Sequence, residues 1–189
     1  MGKFEFIATP IKDLVVIVPK VFEDNRGFFM ESYNFRDFRE NGIDVIFVQD
    51  NHSKSKKGVL RGLHFQKKHP QGKLVRVIKG KVFDVAVDLR KGSPTFGKWF
   101  GIELSAENKK QLYIPVGFAH GFLSLDDDTE FVYKCTDYYY PEDECGIAWN
   151  DPDLNIKWPL DEVKEVIISN KDKNLPNFKE VIGFLDEVR

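Results

Sequence analysis

Lys81-Val82-Phe83-Asp84-Val85-Ala86-Val87-Asp88-Leu89 alternates strictly, with Phe83, Val85, Val87 and Leu89 on one face and Asp84, Ala86 and Asp88 on the other. A period of two is the signature of a strand, and it makes Asp84 a candidate to face a cavity. Outward from this run, 74–78, 96–104, 111–114, 118–125, 130–136 and 147–149 are predicted as further short strands. Gly, Pro, Asp and Asn separate them at regular spacing. Lys79-Gly80-Lys81 reads as a tight hairpin turn between two of them. Helical patterns are confined to the ends. Residues 34–40 open on Asn34 and stop at Asn41-Gly42, and 177–185 follow Pro176. Many short strands with short peripheral helices imply an all-β fold, a jelly-roll β-barrel or sandwich whose open mouth can hold a small ligand. No repeat, low-complexity tract or linker divides the chain, so residues 1–189 read as one domain.

Composition narrows the function classes. Seventeen Phe, six Tyr and three Trp supply a core, and 28 basic against 30 acidic residues leave a net charge of −2. No overall field draws such a chain onto nucleic acid, so any anion binding is local. The N-terminus lacks the apolar stretch and cleavage site of a signal peptide, and the longest aliphatic run, 14–18, is far short of a bilayer span, so no membrane association and a cytoplasmic location are expected. Cys135 and Cys145 are too few for a disulfide framework or a four-cysteine zinc site and read as free thiols.

Candidate chemistry centres on Arg61-Gly62-Leu63-His64-Phe65, with Asn51 and His52 upstream and Lys73 downstream. An imidazole moves protons near neutral pH, and an arginine beside it suits a phosphate or carboxylate. The plainer reading of His64 is a partly buried histidine satisfied by a carbonyl. Neither a Gly-x-Gly-x-x-Gly turn nor a Gly-x-x-x-x-Gly-Lys-Ser/Thr loop is present, which removes dinucleotide and triphosphate readings. A metal is the serious competitor in a jelly roll, but His64 is followed by Phe65-Gln66 rather than a second histidine two residues on, and His52, His69 and His120 are scattered.

Metal-free acid–base work remains, with His64 as base, Lys73 as electrostatic stabiliser and Tyr133 as acid. Alternation in 129–135 puts Tyr133 with Phe131 and Cys135, where a hydrogen-bonded core tyrosine is the plainer reading. One difficulty stands: Arg61 and His64 are three apart and should point to opposite faces, unless a bulge at Gly62 changes the parity.

The ordered blocks Arg61-Gly62-Leu63-His64-Phe65-Gln66, Gln71-Gly72-Lys73-Leu74-Val75-Arg76, 82–88, Ser93-Pro94-Thr95-Phe96-Gly97, 104–108, 114–122 and Tyr133-Lys134 closely resemble the dTDP-4-dehydrorhamnose 3,5-epimerases, from about Asp24 to Asp172. The resemblance implies a cupin-type jelly roll, a homodimer and no cofactor. It implies a small-molecule dTDP-sugar substrate, dTDP-4-dehydro-6-deoxy-D-glucose, converted to dTDP-4-dehydro-L-rhamnose for L-rhamnose synthesis. The family's proton acceptor matches His64, its donor Tyr133, the residue beside the keto oxygen Lys73, and the carboxylate partner of the base Asp172. Its ligand-binding positions match Arg26, Glu31, Gln49, Asp50 and Asn51, and then Arg61, His120, Glu144 and Lys171. Arg26 and Arg61 suit the diphosphate as bidentate clamps. Phe22 or the Tyr138-Tyr139-Tyr140 run, Tyr138 first, could stack on thymine, although a tyrosine run before Pro141 also reads as packing at a loop or dimer contact. Competing readings are a 3- or 5-mono-epimerase of another deoxysugar route, a non-catalytic sugar-nucleotide binding module, and a metal-dependent cupin.

Overall fold

The computed structural model describes residues 3–185. One sheet runs in the order β1 (Phe4–Ala8), β2 (Val15–Pro19), β10 (Gln111–Ile114), β7 (Lys73–Lys79), β12 (Thr129–Cys135) and β5 (Gln49–Ser55). The other runs β13 (Glu144–Gly146), β6 (Val59–Gln66), β11 (Phe118–Ser124), β8 (Lys81–Asp88) and β9 (Trp99–Ser105), with β14 (Ile167–Ile168) added parallel to β6. A separate hairpin joins β3 (Val21–Asp24) to β4 (Gly27–Met30). The architecture is the cupin-like jelly roll.

Between the sheets lies a core of Val75, Val77, Leu112, Ile114 and Phe131 from the first and Val82, Ala86, Leu104, Phe118 and Phe122 from the second. Strand β8 alternates as its sequence requires, yet both of its faces are buried. Val82, Asp84 and Ala86 point between the sheets, whereas Val85, Val87 and Leu89 pack outward beneath Trp158, Phe178, Val181 and Leu185 of the C-terminal segment. The face carrying Asp84 is therefore the inner one. A third cluster, around Phe38, covers the outside of the first sheet, where the rings of Phe4, Phe6 and Tyr33 meet Phe38 edge-on.

Both predicted helices form. Helix α1 (Phe35–Glu40) is capped by the Asn34 side chain, which accepts from the N–H groups of Arg36 and Asp37. Helix α2 (Phe178–Phe184) starts in a capping box between Asn177 and Glu180. Three expectations change. The 79–81 turn is not a hairpin, because β7 and β8 belong to different sheets and Gly80, at φ +73°, carries the chain from one to the other. The strand expected from Phe96 begins at Trp99, because Ser93, Thr95 and Gly97 wrap around Asp88: both hydroxyls donate to its Oδ2 and the Gly97 N–H to its carbonyl. The strand expected at 147–149 is 144–146, paired with Gln66, Phe65 and His64.

Candidate active site

Strands β6 and β11 pair Leu60 with Leu123, Arg61 with Phe122 and His64 with His120. Two residues, Gly62 and Leu63, therefore stand opposite the single Gly121, which is a bulge in β6. The extra residue resets the parity, so Arg61, His64, His120 and Phe122 all line one cavity of about 470 Å³. Only glycine fits at the hinge of this device. Gly62 has φ +113°, and a Cβ there would lie 2.6 Å from the Gly121 Cα and 2.6 Å from the His120 carbonyl oxygen.

His64 is held from both sides. Its Nε2 lies 2.7 Å from Oδ1 of Asp172, and its Nδ1 lies 3.6 Å from Oε1 of Glu144. Asp172 is only 5% exposed and also accepts the Gly62 N–H at 3.2 Å. Burial raises its carboxyl pKa, but the hydrogen bond and charge of His64, with the Gly62 N–H, outweigh burial and leave it below the usual carboxylate value. An ionised Asp172 fixes the proton on Nε2 and leaves the Nδ1 lone pair free to act as a base. Glu144 behaves alike: burial raises it, and Lys171, the Tyr139 hydroxyl and His64 pull it lower overall. Tyr139 donates to Glu144 Oε2 at 2.7 Å, and Lys171 pairs with the same oxygen.

The opposite wall belongs to the other sheet. Tyr133 on β12 packs beside Phe131 and reaches the cavity, and burial is the chief reason its phenol is pushed up to about 12. It therefore keeps its proton at neutral pH. Lys73, at the start of β7, lines the cavity as well, and burial depresses its ammonium below the ordinary lysine value. On the floor, His120 Nε2 sits 2.8 Å from Oδ2 of the fully buried Asp84. Arg61 is oriented by neutral acceptors, Ser55 Oγ at 3.2 Å and the Lys54 carbonyl at 3.3 Å. Among the described residues no carboxylate pairs with it, so its charge is left for an anionic ligand. Two buried polar atoms, Ser53 Oγ at the cavity and Asp84 Oδ1 behind His120, have no hydrogen-bond partner among the described residues.

The sequence-derived candidates divide by position. His64, Tyr133, Lys73, Asp172, Arg61, His120, Glu144 and Lys171 meet at the cavity. Gln49 and Asn51 flank its mouth in a neighbouring depression shared with Tyr133, Tyr139 and Glu144. Asp50 points away and pairs with Lys134 on the outer surface. Arg26 and Phe22 lie on the β3–β4 hairpin, where Arg26 pairs with Asp24, while Glu31 pairs with Lys3 and holds Asn34. These three do not reach this chain's own cavity. Of the tyrosine run, Tyr139 lines the cavity, and Tyr138, 56% exposed, does not. Tyr139, which the sequence offered only as one of three tyrosines for stacking, lines the cavity, and Asp84, expected only to face a cavity, lies behind His120 as its hydrogen-bond partner. The position of Asp84 was available from the β8 alternation, but the choice among three consecutive tyrosines was not. Among the described residues, no three His, Cys, Asp or Glu side chains cluster to hold a metal ion.

Proton transfer is the chemistry this cavity is equipped for: an imidazole backed by a carboxylate on one wall, a protonated phenol on the other, cations between them. The class is an enzyme on a cupin-like barrel. Comparison with known proteins narrows it, since residues 8–180 match the family described as dTDP-4-dehydrorhamnose 3,5-epimerase. The chain belongs to that family of isomerases. The dTDP-4-dehydrorhamnose 3,5-epimerase of Methanothermobacter thermautotrophicus is 56% identical over 180 residues, covering 95% of this chain and 97% of that one. The crystal structure of the Legionella pneumophila dTDP-6-deoxy-D-glucose-3,5-epimerase, in complex with dTDP-4-keto-L-rhamnose, is 52% identical with a TM-score of 0.93 and covers 96% of each chain. More distant, at 35% identity and a TM-score of 0.85, is a 3'-monoepimerase from Streptomyces bikiniensis in complex with dTDP-quinovose, covering 94% of this chain and 90% of that one.

Proposed function

We propose that the chain epimerises dTDP-4-dehydro-6-deoxy-D-glucose at C3 and C5, giving dTDP-4-dehydro-L-rhamnose for dTDP-L-rhamnose synthesis, without metal or nucleotide cofactor. The observation that carries the reading is the placement of the His64–Asp172 pair and the protonated Tyr133 on opposite walls of one cavity. A ketone at C4 acidifies the hydrogens on C3 and C5. Nδ1 of His64 removes one of them, and the flanking carboxylates of Asp172 and Glu144 stabilise the imidazolium that results. The Lys73 ammonium stabilises the enolate oxygen, a contribution of roughly 3 kcal/mol to the barrier. Inversion needs the proton returned from the other face, and Tyr133 delivers it.

Binding falls to the cations and the rim. Arg61 and Lys171 neutralise the diphosphate, and Tyr139 presents its ring to the base. The working unit is a homodimer. Phe22, Phe28 and Phe29 on the β3–β4 hairpin are 49%, 58% and 67% exposed, and Arg26 stands beside them outside this chain's cavity. A second copy that covers these rings also has the means to bring Arg26 and Phe22 to a substrate. No helix among the described residues is long and apolar enough to cross a membrane.

The likeness to a 3'-monoepimerase makes single inversion the second reading. Incubation of the protein with the ketosugar nucleotide, followed by NMR of the product ring couplings, separates them: the proposal expects both centres inverted, and inversion at one alone supports the mono-epimerase.

A further inference from the structure

Gln66 ends β6 two residues beyond His64, is 5% exposed, and is not among the residues lining the cavity. Every hydrogen-bonding group of its amide is in use. Nε2 donates to the His69 carbonyl at 2.6 Å and the Tyr138 carbonyl at 3.0 Å, and Oε1 accepts the Tyr140 N–H at 2.8 Å. The last two bonds bracket Tyr139. The N–H of Tyr139 itself goes to Gln49 Oε1 at 2.9 Å, so three consecutive residues are pinned through their main chain by two glutamines.

The pinned loop is held from beneath as well. Asp143 accepts the N–H groups of Lys68 and His69, and the His69 ring stacks on Tyr140 at 4.1 Å between centroids. From this pinned main chain the Tyr139 hydroxyl donates to Glu144 Oε2, while Oε1 of the same carboxylate faces Nδ1 of His64. Gln66 is moreover the direct cross-strand partner of Glu144. A buried amide that spends one donor and its acceptor on the 138–140 loop and its other donor on the His69 carbonyl ties two loops together, and neither Glu nor Asn reproduces that pattern at that length.

We propose that Gln66 is a positioning residue, which holds Tyr139 against Glu144 and so sets the charge beside the base atom of His64. The inference rests on the reading of His64 as base. The charged and ionisable groups facing this pair are Asp172 and Lys171 before and in the turn at 172–174, Tyr139 from the loop, Lys73 and Tyr133 from the opposite sheet, and Arg61 with the His120–Asp84 pair from the same sheet. Of these only Tyr139 is placed by Gln66. Without the Tyr139 hydroxyl, Glu144 keeps Lys171 alone, and its freed charge favours the imidazolium.

The test is the pH profile of kcat/KM for substrate deuterium exchange in Gln66→Met, Tyr139→Phe and the double variant. Gln66→Met keeps the length of the side chain, adds no charge opposite Glu144, and loses both donors and the acceptor. The expected result is an acid-side midpoint moved upward by about half a pH unit in each single variant, with no further movement in the double, because both act through one contact. A wild-type midpoint in Gln66→Met, or shifts that add in the double variant, overturns the proposal. Should Gln66→Met not melt cooperatively, Gln66→Leu takes its place with the same expected and overturning results. Failure of the wild-type protein to exchange at all would count against His64 as base and not against Gln66.

Discussion

His64 and Tyr133 face one cavity from different sheets, His64 on β6 and Tyr133 on β12. A base and an acid on the same strand would serve one face of a ring. Two on opposing sheets serve both, and inversion at carbon requires both.

In the proposed mechanism the base depends on its carboxylate. Asp172→Asn preserves size but offers an amide N–H to Nε2, which favours the tautomer with the proton on Nδ1. Turnover should fall by about 10²–10⁴-fold with KM nearly unchanged, as measured by steady-state kinetics on the ketosugar nucleotide. An unchanged kcat would show that Asp172 does not set the tautomer.

Lys73 donates to no group among the described residues, so its ammonium is available to an oxygen of the ligand. Lys73→Met keeps the stem and removes the charge. The expected loss is about 10²-fold in kcat, the kinetic equivalent of roughly 3 kcal/mol. A loss confined to KM would make Lys73 a binding group only.

Gly62→Ala should damage the fold as well as the site, because the new Cβ meets the β11 backbone at 2.6 Å where φ is already +113°. Urea denaturation should report a loss of more than about 2 kcal/mol. A stable variant with full activity would mean that β6 finds another route to place both Arg61 and His64.

Stability toward acid should depend on Asp88. It is fully buried, and although burial raises its carboxyl, Arg90, Ser93 and Thr95 together lower it from 3.8 to about 2. A depressed carboxylate stabilises the fold above its unfolded value and loses that contribution as pH falls through the folded one. Between pH 4 and pH 2 the wild-type chain should therefore lose on the order of 2 kcal/mol through this group, and Asp88→Asn should lack that part of the slope. Thermal melts across the interval measure it.

How much of this was legible in sequence depended on whether a residue's environment is local. The alternation in β8 announced a strand, and Asn34 and Asn177 announced their helices, because periodicity and caps are short-range. Which face of β8 lies inside was not legible: the apolar face packs under the C-terminal segment, and that layer is set by residues about 70 to 100 positions later. Strand β5 passed unnoticed since Gln49–Ser55 has no aliphatic residue, its pairing with β12 supplying what propensity does not. The parity conflict between Arg61 and His64 pointed correctly to Gly62. Asp172, 108 residues from His64, is invisible to any local pattern and was reachable only through family resemblance. Tyr139 was lost among its neighbours because a run of like residues carries no parity until Gln66 and Gln49 fix the loop.

In the proposed reaction His64 removes the proton on one face of the sugar and Tyr133 returns one on the other. Tyr133→Phe in D2O, with dTDP-4-dehydro-6-deoxy-D-glucose followed by proton NMR, tests it most directly. Deuterium should appear next to the ketone with the starting configuration kept, and inverted product should fall by about 10²–10⁴-fold. Inverted, deuterated product formed at the wild-type rate would contradict it.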